Sequence, residues 1–94
     1  MNNILIIDDE ADIRESISAI LIDEGFSCTG AANADLAIKF LDNESFDLII
    51  LDVWLNDPMY DGIGLLKYIK KKHIQSPVII ISGHGNIEMA VEAI

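Results

Sequence analysis

Basic residues are scarce in this chain of 94 residues: six Lys or Arg stand against sixteen Asp or Glu, for a formal net charge of −10 at pH 7. A surface of that sign repels DNA, RNA and anionic membranes, so direct nucleic-acid binding by this segment is not expected. Cysteine is scarcer still. Cys28 stands alone, which rules out an internal disulfide, and its apolar neighbours suit a buried small hydrophobe better than a reactive thiol. Long hydrophobic runs are missing as well: Ile4 to Ile7, Leu48 to Leu51 and Val78 to Ile81 are far too short to cross a bilayer. The N-terminus lacks the basic start, long apolar region and small-residue cleavage site of a secretion signal. A cytoplasmic protein without membrane contact is therefore expected. There are no repeats, linkers or low-complexity tracts, and a hydrophobic content of 51% suffices for the core of one small domain.

What is present alternates between two kinds of segment. Asn3 to Asp8 is rich in Ile and Leu without alternation, as in a strand buried on both faces. A helix follows over Ala11 to Glu24, with Ile13, Ile17, Ile20 and Leu21 at helical spacing, Glu10 and Asp12 near its start and Gly25 as a stop. Phe26 to Ala31 reads as a second strand. Asn33 caps a helix with an apolar face of Leu36, Ala37, Phe40 and Leu41, ending near Asn43. Phe46 to Asp52 is a third strand, and Val53 to Asp61 is a loop with Asn56, Asp57 and Pro58 as turn formers. Gly62 opens a third helix that buries Leu65, Leu66 and Ile69. Its Lys67, Lys70, Lys71 and Lys72 read as a solvated helix end whose cations complement the dipole, rather than as a basic patch. Ser76 and Pro77 precede a fourth strand, Val78 to Ile81, and Asn86 is a cap for a fourth helix carrying Ile87, Ala90, Val91 and Ile94. Strands alternating with helices imply an α/β fold, a parallel sheet with right-handed crossovers and helices on both faces.

Three apolar runs end in oxygen-bearing side chains: the first at Asp8 and Asp9, the third strand at Asp52, the fourth at Ser82. In open α/β sheets ligands bind outside the carboxyl ends of the strands, so these oxygens are expected to meet at one edge. Three carboxylates together are unfavourable unless a hard cation or raised pKa values relieve their repulsion. Such a cluster reads as a site. His84, between Gly83 and Gly85 with no second His or Cys nearby, reads as a loop residue rather than a metal ligand or phosphoryl carrier.

The acidic pair, the lone Asp52, the turn at Asp61 and Gly62, and the hydroxyl of Ser82 match in order and spacing the receiver domain of bacterial response regulators, and the resemblance covers the whole chain. The segments Asp52-Val53-Trp54-Leu55 and Ser82-Gly83-His84-Gly85 are further similar to the nitrogen-regulation branch, NtrC-like and especially NtrX-like. The resemblance implies a flavodoxin-like sheet of order 2-1-3-4, with residues 1–94 as the receiver domain. It implies phosphorylation of Asp52 by a sensor histidine kinase and Mg2+ bound by Asp9, Asp52 and the main-chain carbonyl of Trp54, with Asp8 acting largely through water. Ser82 would be the switch hydroxyl that turns toward the phosphoryl group. Trp54 is left either as a gate to the pocket or as its cover.

The chain also departs from the family. Asn56 stands where a Pro is usual, Pro58 comes later, and the loop from Leu55 to Tyr60 is longer. The family's fifth strand ends near a Lys that pairs with the phosphoryl group, and no Lys here fits that place. Strand five, helix five and the output domain, expected to be transcriptional, are therefore expected to be absent from these residues, leaving the domain incomplete at its C-terminus. The fourth strand would then be a bare apolar edge, and a homodimer or higher oligomer by edge pairing is expected. Two other readings share the pattern. An aspartate-nucleophile phosphatase usually needs a second Asp two residues after the nucleophile, where Trp54 stands. A pseudo-receiver would keep the fold as an interaction module without turning phosphorylation into output.

Overall fold

The computed structural model describes residues 2–52, 62–72, 75–81 and 87–90. Along the chain run β1 (Asn3–Ile7), α1 (Ala11–Asp23), β2 (Ser27–Ala31), α2 (Ala34–Asn43), β3 (Leu48–Asp52), α3 (Gly62–Lys71), β4 (Val78–Ile81) and β5 (Ile87–Ala90). The sheet order is β2-β1-β3-β4-β5. The first four strands pair in parallel, in the expected order 2-1-3-4.

β1, β3 and β4 are apolar on both faces because the sheet has two cores. Leu5, Ile7, Ile49, Leu51 and Val78 point to one side, where Ala34 and Ala37 of α2 and Leu65 and Ile69 of α3 close over them. Ile4, Ile6 and Ile50 point to the other, against Ile17 and Leu21 of α1 together with Phe26 and Cys28. A continuous apolar run is what a parallel strand needs when helices lie on both sides. Cys28 is part of this second core, and burial pushes its thiol pKa up, so it stays protonated and packs as the small hydrophobe expected.

The helix ends follow from local chemistry. Gly25 has φ +97°, and its amide donates to the Ile22 carbonyl (3.0 Å) while that of Phe26 donates to Leu21 (3.1 Å). This double closure satisfies carbonyls that the helix leaves open, and it turns Phe26 back onto the core beside Leu21. Asn33 is extended and its side chain accepts the Leu36 amide at 2.9 Å, the cap expected for α2.

Three expectations are corrected. Ile13 and Ile20 do not belong to a buried stripe: they are 37% and 65% exposed, because α1 packs on β1 and β2 and only Ile17 and Leu21 reach the sheet. Leu36 likewise faces outward, and Ala34 joins Ala37 as the buried pair of α2. The third correction is the largest: Ile87–Ala90 is not the start of a helix but a strand, antiparallel to β4 with Ile81 opposite Ile87 and Val78 opposite Ala90. Helical spacing in this segment is overridden by pairing, which satisfies the row of backbone groups on the open side of β4. The bare β4 edge expected to drive homodimer or higher-oligomer formation is thus covered from within the chain. The cap assigned to Asn86 lies outside the described residues.

Gly25 offers a direct check. A Cβ there meets nothing within 4 Å, so the cost of a side chain is that of the left-handed backbone alone. Gly25→Ala is expected to lower the unfolding free energy by about 1–2 kcal/mol in urea titration without changing the fold.

Candidate functional site: an acidic pocket at the carboxyl ends of the strands

Register brings the carboxylates together. Ile7 pairs with Leu51 across β1 and β3, so the next residue on each strand, Asp8 and Asp52, emerges at the same edge of the sheet. Asp8 and Asp52 are buried, at 2% and 6% exposure, whereas Asp9 is exposed to solvent. One carboxylate oxygen from each of Asp8, Asp9 and Asp52 lies within 4.8 Å of the others.

Asp8 is held on three sides. Its amide donates to the Ala31 carbonyl (3.1 Å), extending the β1–β2 ladder by one step. Its Oδ1 accepts the Glu10 amide at 2.9 Å, and its carbonyl accepts Arg14 Nη1 at 2.8 Å. Burial raises the Asp8 pKa from 3.8 to about 6; the Glu10 amide opposes the shift, and the charges of Asp52, Asp9 and Glu10 add to it. At neutral pH the pocket therefore holds ionised carboxylate at an energetic cost.

These residues suit a hard divalent cation. Oxygens around octahedral Mg2+ stand about 3–4 Å apart, these three lie within 4.8 Å of one another, and the ion keeps several waters, so two or three protein ligands are enough. Zinc sites draw more often on nitrogen and sulfur, and neither donor type is in this set.

The structure thus brings together Asp8, Asp9 and Asp52 as the sequence suggested. Ser82, the Trp54 carbonyl, His84 and the loop from Val53 to Asp61 lie outside the described residues. Arg14 at the pocket went unnoticed in the sequence. The signal was its position, five residues beyond Asp9 and one turn into α1, where a helix laid back along β1 returns a long side chain to the strand end. A hollow of about 500 Å³ between Leu41, Phe46, Asp47 and Pro77 lies at the opposite, amino end of β3 and β4, away from these carboxylates.

Residues 4–94 match the sequence family described as the response regulator receiver domain. The chain belongs to that family. The receiver is 53% identical over 92 residues to a putative NtrX-like response regulator of Rickettsia bellii, an alignment that takes in 98% of this chain and 19% of the relative. It also resembles the crystal structure of the receiver domain of NtrX from Brucella abortus, with a TM-score of 0.81 and 45% identity over 88% of this chain and 69% of the other. A response regulator of Thermotoga maritima, solved in complex with Mg2+ and BeF, gives a TM-score of 0.79 and 32% identity over 89% of this chain and 73% of that one. The receiver spans about a fifth of the length of the NtrX-like relatives it matches. Such domains serve in two-component signalling rather than as classical enzymes, and the flavodoxin-like sheet is that of the family. Among the described residues, no helix is long and apolar enough to cross a membrane.

The Asp8 shift gives a pH dependence with a definite sign. The folded protein holds the Asp8 proton more tightly than the unfolded chain, so this group's contribution to stability is complete below pH 3.8 and is lost as pH rises to about 6. Asp8→Asn keeps the oxygen that accepts from Glu10 and removes the charge. In metal-free buffer it is expected to stabilise the receiver at pH 7.5 by up to about 3 kcal/mol. Chemical denaturation at several pH values should show that gain shrinking below pH 6 and gone near pH 4.

Proposed function

We propose that residues 1–94 form a receiver domain that accepts a phosphoryl group on Asp52 from a sensor histidine kinase, in a reaction supported by Mg2+. The observation that carries this reading is the meeting of Asp8, Asp9 and Asp52 at one strand edge, with Asp52 buried at the end of a central strand.

Each residue has a distinct task in this reading. Asp9, the exposed carboxylate, and Asp52 would hold the cation directly, and Asp8 would act on it largely through water. Bound there, Mg2+ would neutralise the charge that keeps an anionic nucleophile from an anionic phosphoryl group. Asp52 is fixed by its place in β3, so its free motion is small and an oxygen stays directed to the pocket. That oxygen bonds to phosphorus as the bond from phosphorus to the donor breaks, and the product is an acyl phosphate. Ser82 immediately follows Ile81, the residue paired with Asp52, a sequence position that suits a hydroxyl meant to answer the new phosphoryl oxygens. The Trp54 carbonyl is the remaining cation ligand in this scheme.

The receiver's membership of the response-regulator family and its likeness to NtrX-like proteins support a further reading, that it relays this signal to a transcriptional output domain in the cytoplasm. Its net charge of −10 argues that DNA contact, where it occurs, belongs to another part of the protein.

Incubation of the chain with acetyl phosphate and Mg2+, followed by intact-mass measurement, is expected to show addition of a single phosphoryl group. Asp52→Asn should abolish it, and chelation of the metal should suppress it. No addition to the wild-type chain, or addition that survives Asp52→Asn, contradicts the assignment.

A further inference from the structure

The chain's one arginine lies against the acidic pocket without serving as a cation ligand. Arg14 stands one turn into α1, its amide donating to the Glu10 carbonyl at 3.1 Å. Its side chain runs back across β2, where Cδ and Nε lie 3.4 and 3.5 Å from the place a Cβ on Gly30 would occupy. From there Nη1 reaches the carbonyl oxygen of Asp8 at 2.8 Å. That oxygen belongs to the peptide joining Asp8 to Asp9. A peptide unit is planar, so fixing the carbonyl fixes the direction in which the chain leaves for Asp9. The amide of Asp8 is tied to Ala31 and its Oδ1 to the amide of Glu10, so the Arg14 bond completes the restraint of the turn.

We propose that Arg14 is a positioning residue for the cation site, holding the Asp8–Asp9 peptide so that both carboxylates face Asp52, its side chain passing over Gly30 with room for no more than a Cβ between them. The proposal rests on the divalent-cation reading above. Two effects of the guanidinium oppose each other. Its positive charge repels a bound cation, and its hydrogen bond holds the carboxylates in place. The charge is partly exposed and screened by water, whereas the hydrogen bond acts at fixed short range on the peptide between two of the three acidic residues. Positioning is therefore the larger effect. Groups that orient metal ligands in this way change affinity by roughly 10- to 100-fold when removed.

Two variants separate the effects. Arg14→Gln removes both charge and reach. Gly30→Val keeps the charge and adds a branched side chain, well suited to a strand, whose Cγ atoms extend beyond a Cβ position already in van der Waals contact with Arg14 Cδ and Nε and so crowd the path of the guanidinium. Mg2+ affinity of the 94-residue chain is measured by calorimetry, and amide hydrogen exchange is followed in the metal-free protein at Glu10, whose N–H donates to Asp8. Both variants are expected to bind Mg2+ about tenfold more weakly and to exchange the Glu10 amide faster, with the double variant no worse than the poorer single one. Repulsion alone predicts the reverse for Arg14→Gln, tighter binding, and no change for Gly30→Val. Unchanged Glu10 exchange in Arg14→Gln, or Mg2+ binding equal to or tighter than wild type, overturns the proposal; should either variant fail to fold, the other carries the same two readouts. Absence of Mg2+ binding by the wild-type chain would count against the cation reading itself, and Glu10 exchange would still decide whether Arg14 fixes the turn.

Discussion

Two neighbouring parallel strands end in buried carboxylates, and much of the structure can be understood as the means of keeping Asp8 and Asp52 together despite their charge. Left to electrostatics they would separate. They cannot, because Asp8 follows directly on β1 and Asp52 ends β3, and both strands are locked into two cores: Ile7 and Leu51, the paired residues just before them, are wholly buried. Moving either carboxylate would require a shift in register, and a shift of one residue would turn every apolar side chain of that strand to the opposite face. The repulsion is thus held in place by hydrophobic burial; that burial raises the pKa of Asp8, and the charges of Asp52 and Asp9 add to the shift. A pocket under such strain has affinity for positive charge built into it.

The same constraint explains the polar contacts around the strand ends. The Glu10 amide draws on the start of α1 to offer a donor to Asp8, and Arg14 ties the following peptide from above. Gly25 and Asn33 do comparable work elsewhere, ending one helix and starting the next so that each strand re-enters the sheet at the right height. None of these contacts is large singly. Together they fix how the chain leaves β1, enters β2 and leaves it for α2.

Much of this could be read from the sequence because burial on both faces leaves a plain mark: unbroken Ile, Leu and Val runs that stop at acidic or hydroxyl residues. Strand order and the meeting of Asp8, Asp9 and Asp52 followed from that mark together with the resemblance to receivers. Other features were hidden for physical reasons. The exposure of Ile13 and Ile20 depends on which strands α1 lies over, and helical spacing does not report it. Ile87–Ala90 carries residues compatible with either structure, and the deciding factor was the open side of β4. Arg14 acts on a backbone oxygen, so its position one turn into α1 was the sole trace it left in the sequence.

The central claim is that the carboxylate cluster is a strained site which a divalent cation relaxes. Calorimetric titration of the chain with Mg2+, in two buffers of different ionisation enthalpy, measures the protons released on binding. At about pH 6, where Asp8 is half protonated, roughly half a proton should leave for each Mg2+ bound, and at pH 8 none. Binding with no proton release near pH 6, or no binding at either pH, would contradict the account.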